Sequence, residues 1–180
     1  MNIAEHEVKL SILPKKRKAN ILDLGCRGFE FSNFFREKHN VYCVDIGELD
    51  SENYFTVAIS DKDGWCGIEK NQDPQAWRIK EGNELKMMTI KSFSEFVNVR
   101  HWDVIKMDIE GEEYNILNSA EHPIADQISV EFHAHTGRQT KEQLDILLNK
   151  LKQWYWIEGA HWVDKHCAGF NYWDVLLIRK

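Results

Sequence analysis

The chain has 180 residues, of which 43% are hydrophobic and 29% are charged. This composition is typical of a globular protein, and we expect a single domain over residues 1–180. The 29 acidic residues outnumber the 23 basic ones and give a net charge of -6. This balance disfavours nucleic-acid binding, which needs clustered positive charge. No run of about 18 apolar residues is present, so the sequence predicts no membrane span.

The N-terminal segment and the cysteines favour a cytoplasmic protein. Residues 1–18 carry acids first and bases last, the reverse of a secretory signal, and we interpret them as an N-terminal extension within the single domain. The basic run at 15–18 is interpreted as a solvated turn, with an anionic partner as the alternative. The cysteines show no CxxC spacing, which predicts reduced thiols and no structural zinc. They are Cys26, Cys43, Cys66 and Cys167.

The first 60 residues alternate between buried strands and a helix. Short apolar runs predict strands at 20–25, 41–45 and 54–59, and helical spacing of apolar residues predicts a helix at 29–36. This order indicates an α/β fold in which helices cover a parallel sheet.

The middle of the chain, residues 61–89, is polar and rich in turn-forming residues. It predicts a hairpin at 64–68, then a loop and a strand at 86–90. A short helix through Val97 follows, for which Ser92 or Ser94 is the expected cap.

The second half continues the alternation and closes with two consecutive strands. Those two strands have no helix between them, so they should pair as an antiparallel hairpin. The predicted elements are a strand at 103–108, a helix at 112–120, a strand at 127–132, a helix at 140–154, and strands at 154–163 and 172–178.

The most informative local pattern is the end of the first strand, Asp23-Leu24-Gly25-Cys26-Arg27-Gly28. Glycines between a strand and a helix allow backbone N–H groups to approach a ligand. Asp45 ends the next strand, where a carboxylate accepts hydrogen bonds from ribose hydroxyls. The third glycine of dinucleotide sites is missing, and the acids suit a ligand with a cationic head. S-adenosylmethionine fits this description.

Two further segments strengthen this interpretation. With Asp23–Cys26 and Asp45, the stretches Val57-Ala58-Ile59-Ser60-Asp61 and Asp103-Val104-Ile105-Lys106-Met107-Asp108-Ile109-Glu110-Gly111-Glu112-Glu113 resemble FkbM-type methyltransferases. The resemblance implies S-adenosylmethionine as cofactor and methyl transfer, usually to an oxygen of a small molecule or sugar. It also implies the Rossmann-like class I methyltransferase fold, with a seven-stranded, mostly parallel sheet, an antiparallel C-terminal strand and helices on both faces.

The resemblance also implies roles for individual residues. The cofactor's methionine end would lie near Asp23, Gly25, Cys26 and Arg27, its ribose near Asp45 and Ile46, its adenine near Ala58 and Ile59, and its reactive end near Asp108. One departure is the sequence Arg27-Gly28-Phe29, where the family has a small or amide residue and then glycine. Arginine beside a sulfonium is unfavourable unless its side chain points away. The alternative is therefore a non-catalytic nucleoside-binding module with the same fold.

The catalytic candidates are Asp108 and His133. Asp108 would face the reactive end, or alternatively cap the following helix. His133 and His135 follow a strand at i, i+2 spacing, and His133 is the expected general base. Either histidine with Asp108 or Glu131 is an alternative metal set, but the spacing is not specific and we assign no metal ligands. The tryptophans either pack in the core or stack on a base or sugar. The sequence identifies neither the acceptor nor the oligomeric state.

Overall fold

The computed structural model describes residues 1–48, 53–72, 77–133, 139–163 and 172–180. Its helices are α1 (Glu30–Arg36), α2 (Ile90–Phe96), α3 (Glu113–Ser119) and α4 (Lys141–Leu151), and a short 3₁₀ helix covers Leu10–Ile12. Its strands are β1 (Asn2–Ile3), β2 (His6–Glu7), β3 (Asn20–Leu24), β4 (Asn40–Asp45), β5 (Tyr54–Thr56), β6 (Ala58–Ile59), β7 (Gly64–Glu69), β8 (Arg78–Met88), β9 (Val104–Met107), β10 (Gln127–His133), β11 (Tyr155–Val163) and β12 (Tyr172–Arg179).

Seven strands form the central sheet in the order β5-β4-β3-β9-β10-β12-β11. The pairs from β5 to β10 are all parallel, whereas β12 runs antiparallel to both of its neighbours. The predicted seven-stranded, mostly parallel sheet with an antiparallel C-terminal strand is therefore confirmed. The parallel strands also bring their carboxyl ends to one edge, where α/β proteins bind ligands.

Successive side chains of each strand point to opposite faces of the sheet, so the buried apolar side chains form one cluster on each face. Ile21 and Cys43 pack with Phe31 and Phe35 of α1 on one face. Leu22 and the other residues of the opposite face join a larger cluster that includes buried side chains of α2, α3 and α4. Helices cover both faces, as predicted, and the carboxyl edge of the sheet lies between the two layers.

The predicted strand at 54–59 is wrong, because the structure divides it into two short strands. β5 pairs with β4 in the central sheet, whereas β6 pairs with β8 in a separate three-stranded sheet of order β6-β8-β7. The chain changes sheets at Val57, whose N–H donates to the carbonyl of Asp45 at 3.1 Å. A continuous apolar run cannot reveal this change of partner.

The predicted hairpin at 64–68 is wrong, because Gly64–Glu69 form the single strand β7, which pairs with β8. The helix that follows has a different cap from the one expected. β8 begins at Arg78 rather than near residue 86, and residue 90 starts α2 instead of ending a strand. Thr89 caps α2, since its hydroxyl accepts a hydrogen bond from the N–H of Ser92 at 3.1 Å. The expected caps Ser92 and Ser94 lie inside the helix, where the Ser94 hydroxyl donates to the carbonyl of Ile90.

Residues 1–18 pack onto the sheet through two features that we did not predict. β1 and β2 form a hairpin whose turn holds Ala4 and Glu5 at positive φ, and β2 contacts β10 and β12. Arg17 forms two hydrogen bonds of 2.7 Å with the buried carboxylate of Asp103. The basic run is therefore not simply a solvated turn. Among the described helices, none is long and apolar enough to span a membrane.

Candidate functional site

Two connected cavities open at the carboxyl ends of the central strands. One is a narrow pocket of about 40 Å³ with largely apolar walls, and the other is a polar cavity of about 490 Å³. Gly25, Asp45, Asp108 and Glu110 line both cavities. The two spaces are therefore parts of one cleft, which we call the narrow pocket and the polar cavity.

The turn after β3 forms the boundary between these two spaces. Gly25 has φ +75°, and a Cβ at this position would lie 1.6 Å from the backbone oxygen of Asp108. Only glycine allows this approach of β3 to the segment after β9. Gly28 has φ +95°, and Phe29, which precedes α1, also has a positive φ. Although Arg27-Gly28-Phe29 departs from the family pattern, the strand, the turn and the helix all form here.

A row of buried polar residues crosses the sheet beneath the polar cavity. The strand register places Lys106 between Asp23 and Ser129. The Asp23 carboxylate is only 1% exposed; one oxygen accepts a hydrogen bond from Ser32, and the other lies 3.6 Å from the Lys106 ammonium nitrogen. That second oxygen, Oδ1, accepts no hydrogen bond from the described residues. Asp23 is therefore a buried carboxylate in the wall of the polar cavity, with one oxygen that, within the described part of the chain, pairs only with the Lys106 ammonium.

Asp108 receives positive charge from three sides. Its Oδ2 lies 3.1 Å from Lys106 Nζ and 3.6 Å from His6 Nε2, and its Oδ1 lies 3.4 Å from His133 Nε2. Burial opposes ionisation, but Lys106, His6 and His133 together hold the pKa of Asp108 well below its ordinary value. Although burial disfavours its charge, the carboxylates of Asp108 and Asp23 raise the pKa of Lys106. Asp108 is therefore an ionised carboxylate at the meeting point of the two cavities.

The structure contradicts a helix-capping role for Asp108. α3 begins at Glu113, and its cap residue Glu112 makes no side-chain capping bond. The buried Glu113 carboxylate instead accepts hydrogen bonds from the N–H groups of Ile109 at 2.8 Å and Gly111 at 2.9 Å. The loop between β9 and α3 is thus fixed by Glu113, which leaves the Asp108 side chain to face the cleft.

His133 lies within β10, is only 2% exposed, and lines the polar cavity. Its Nδ1–H donates to the Glu113 carboxylate at 2.8 Å. Burial lowers its basicity, but Glu113, Glu110 and Asp108 outweigh that effect and raise the pKa of His133 to about 10. The side chain is therefore a cation near neutral pH, and the expectation that it acts as a general base is not supported. His135 lies outside the described residues.

Two further carboxylates line the polar cavity beside these cations. Burial, followed by the charge of Asp108, raises the pKa of Glu131 to about 8. Burial likewise raises the pKa of Glu110 to about 7. Glu131 lies 3.7 Å from His133 Nε2 and accepts no hydrogen bond from the described residues. Both groups therefore change protonation state near neutral pH.

His6 is a lining residue that the sequence analysis missed. It is 5% exposed, and its Nδ1 lies 3.3 Å from the hydroxyl of Ser129. Its ligand atom and those of Asp108 and Glu131 all lie within 4.8 Å of one another. Lys106 already contacts the same Asp108 oxygen, so a further cation there is disfavoured and we assign no metal. Nothing in the sequence near His6 distinguishes it from any other histidine.

The narrow pocket brings together most of the residues expected around a nucleoside. Asp45 stands at its mouth, with Oδ1 accepting the N–H of Gly47 at 2.8 Å; burial raises the pKa of Asp45. Trp77 and Ile79, from the start of β8, also line the pocket and were not predicted. The remaining lining residues include Leu24, Val44, Ile46, Val57, Ala58 and Ile59.

Cys26 and Arg27 line the polar cavity on the side of α1. Cys26 is 2% exposed, and a hydrogen bond with the thiol of Cys43, together with burial, raises the pKa of Cys26. The Cys26 side chain is therefore a neutral thiol in the wall of the polar cavity. Cys26, Cys43 and Cys66 are free thiols, as expected, whereas Cys167 lies outside the described residues.

This combination defines a class of protein: an α/β fold with a two-part cleft at the carboxyl edge of its parallel sheet, where such folds bind ligands. The model of the "Methyltransferase FkbM domain" family matches residues 5–154. The chain therefore belongs to the FkbM methyltransferase family, whose cofactor is S-adenosylmethionine. The comparison with curated proteins gives no significant match.

Solved structures with similar shapes include several methyltransferases. M. capricolum TrmK in complex with S-adenosylhomocysteine shares 14% identity over 94% of this chain and 65% of its own, with a TM-score of 0.44. Burkholderia thailandensis 1,6-didemethyltoxoflavin-N1-methyltransferase shares 16% identity over 91% of this chain and 72% of its own, with a TM-score of 0.47. A chain of the E. cuniculi Mtq2–Trm112 complex shares 10% identity over 92% of this chain and 88% of its own, with a TM-score of 0.46. Scores at this level carry no conclusion about function.

Proposed function

We propose that this chain is an S-adenosylmethionine-dependent O-methyltransferase that acts in the cytoplasm on a hydroxyl of a small molecule or sugar, and that residues 1–180 form one methyltransferase domain. The observation that carries the proposal is the two-part cleft, in which a narrow apolar pocket joins a polar cavity at Asp108. The first space is lined by the residues expected to hold a nucleoside, and the second has room for a polar acceptor.

Individual residues divide the work of holding the cofactor. The narrow pocket, including Ala58 and Ile59, takes the adenine, and Asp45 accepts hydrogen bonds from the ribose hydroxyls. Asp23, which lines the polar cavity and has one oxygen without a hydrogen bond from the described residues, would attract the ammonium group. When bound, S-adenosylmethionine supplies a methyl group that its sulfonium makes electrophilic. In this arrangement Asp108, which lines both cavities, would lie near the reactive end.

The polar cavity orients the acceptor and takes up its proton. Lys106 and His133 act as fixed cations that keep the Asp108 carboxylate ionised and in place. The ionised form of Glu131 accepts the proton of the acceptor hydroxyl, because this carboxyl lines the cavity and burial raises its pKa to about 8, close to neutrality. Most of the rate enhancement comes from proximity and orientation.

Transfer of a radiolabelled methyl group from S-adenosylmethionine to paired acceptors tests the proposal. We expect labelled ethers from a panel of sugars and small alcohols, and little label on the corresponding amines. Asp108→Asn and Glu131→Gln should each lower the rate at least 100-fold while the protein stays folded. Glu95→Gln on the exposed side of α2 is the control. Labelled amines would contradict O-methylation, and cofactor binding with no transfer to any acceptor would favour the non-catalytic module.

A further inference from the structure

Trp77 occupies an unusual position between the hairpin and the nucleoside pocket. It lies immediately before β8 and lines the narrow pocket with Ile79. Two cations make cation–π contacts with its ring: the Arg27 guanidinium carbon lies 5.2 Å from the ring centroid, and Lys70 Nζ lies 4.8 Å from it. Its Nε1–H donates to the carbonyl of Asn71 at 3.3 Å. Cation–π contacts of this kind fix the ring in place.

Arg27 connects this tryptophan to Asp45 at the mouth of the pocket. A Cβ at Gly47 would lie 3.0 Å from Arg27 Nη1 and 3.3 Å from Asp45 Oδ1, so both side chains flank Gly47. The Arg27 charge also favours the ionised form of Asp45, against the effect of burial on the Asp45 pKa. The guanidinium is thus directed toward Asp45 and Trp77, which accounts for an arginine so near a site for a sulfonium.

Asp45, Arg27 and Trp77 thus form an arc, in which Arg27 lines the polar cavity and lies between two residues that line the narrow pocket. We propose that this arc is a clasp for the adenosine part of the cofactor, in which Trp77 packs against the adenine and Arg27 ties Trp77 to the ribose-binding carboxylate. The inference rests on the proposed cofactor binding and adds the β7–β8 hairpin to the binding machinery. The adenine ring is the part of the ligand whose flat face matches an indole.

Calorimetric titration with S-adenosylhomocysteine and with adenosine alone tests the clasp. Trp77→Ala should weaken both ligands by about 10- to 100-fold, as expected for loss of an aromatic contact with a base. The two ligands should lose the same factor, because the contact is to the adenosine they share. Trp65→Ala is the matched control: Trp65 lies in the same hairpin and is 63% exposed, and we expect its variant to bind within twofold of the wild type.

Two conservative variants separate aromatic contact from bulk. Trp77→Phe should stay within about threefold of the wild type, whereas Trp77→Leu should bind as weakly as Trp77→Ala. The clasp alone would be overturned if Trp77→Ala bound the ligands as tightly as the wild type does. It would also be overturned if Trp77→Leu and Trp77→Phe bound with equal affinity. Failure of the wild type to bind S-adenosylhomocysteine would overturn the proposed function and the clasp with it.

Discussion

At the residue scale, Asp45 carries the clearest expected ligand contact. Its carboxylate ends β4, stands at the mouth of the narrow pocket, and is oriented by the N–H of Gly47. Asp45→Ala should weaken S-adenosylhomocysteine binding by about 10- to 100-fold, because hydrogen bonds to a charged group are lost. Calorimetry provides the measurement. The exposed carboxylate of Asp145 supplies the control substitution, and unchanged affinity in Asp45→Ala would remove the ribose assignment.

The pair formed by His133 and Glu113 predicts a pH dependence of stability. The pKa of His133 rises from 6.5 to about 10 in the folded protein. The stabilisation is therefore fully present below pH 6.5 and is lost as pH rises through about 10. Glu131 and Glu110, whose pKa values are also raised, act in the same direction, since their ionisation disfavours the folded state. The free energy of unfolding should fall by on the order of a few kcal/mol over this range.

Urea denaturation at pH 6, 8 and 10 measures this effect. His133→Gln should flatten the decline, because its amide does not titrate, whereas His122→Gln on the surface should leave the slope unchanged. A wild-type stability that rises with pH over the same interval would show that the His133–Glu113 interaction is not the controlling one.

The sequence identified some of these residues and missed others for a physical reason. Asp45 and Asp108 each follow a buried strand, and the carboxyl ends of parallel strands meet at one edge. His6 and Trp77 reach the same cleft from the N-terminal hairpin and from the start of β8. No periodicity or spacing reports such long-range approaches. The sequence also could not show that His133 pairs with Glu113, because Glu113 approaches it from α3.

At the element scale, the turn between β3 and α1 has two glycines with different tolerances. A Cβ at Gly25 would collide with backbone, the Asp108 carbonyl at 1.6 Å, whereas a Cβ at Gly28 would meet only the Glu30 side chain, at 2.5 Å. Both have positive φ, so each substitution costs about 1 kcal/mol in backbone strain. Gly25→Ala should cost several kcal/mol more than that strain and abolish S-adenosylhomocysteine binding.

Thermal unfolding and calorimetry of the two variants provide the comparison. Gly28→Ala should remain folded and bind the ligand, because the Glu30 side chain can rotate aside. Equal losses in the two variants would mean that the close approach of Gly25 to Asp108 is not what holds the turn.

Local sequence pattern is sufficient to predict some of these elements but not others. Strands at 20–24 and 40–45 and the helix α4 follow directly from apolar periodicity, and Thr140 caps α4 with a reciprocal bond from Gln143. The change of sheet at Val57 depends on β8, in which Met87 pairs with Ala58, 29 residues earlier in the chain. Pairing between distant strands is a tertiary effect, so the sequence pattern predicted one strand there.

At the scale of the whole molecule, the two faces of the sheet serve different parts of the cleft. The face that packs on α1 carries the buried polar row of Asp23, Lys106 and Ser129 beneath the polar cavity. The narrow pocket lies where the central sheet meets the smaller sheet of β6, β7 and β8. The N-terminal hairpin adds His6 to the polar cavity. A cofactor spanning both spaces would therefore be contacted by all three sheets.

The measurement that tests this account most directly is a calorimetric titration of the wild-type protein with S-adenosylhomocysteine, with NADH as the parallel control. The account predicts one site per chain with micromolar affinity for S-adenosylhomocysteine, and no heat with NADH, since the cleft lacks the glycine pattern that binds a pyrophosphate. Binding of NADH, or of neither ligand, would contradict it.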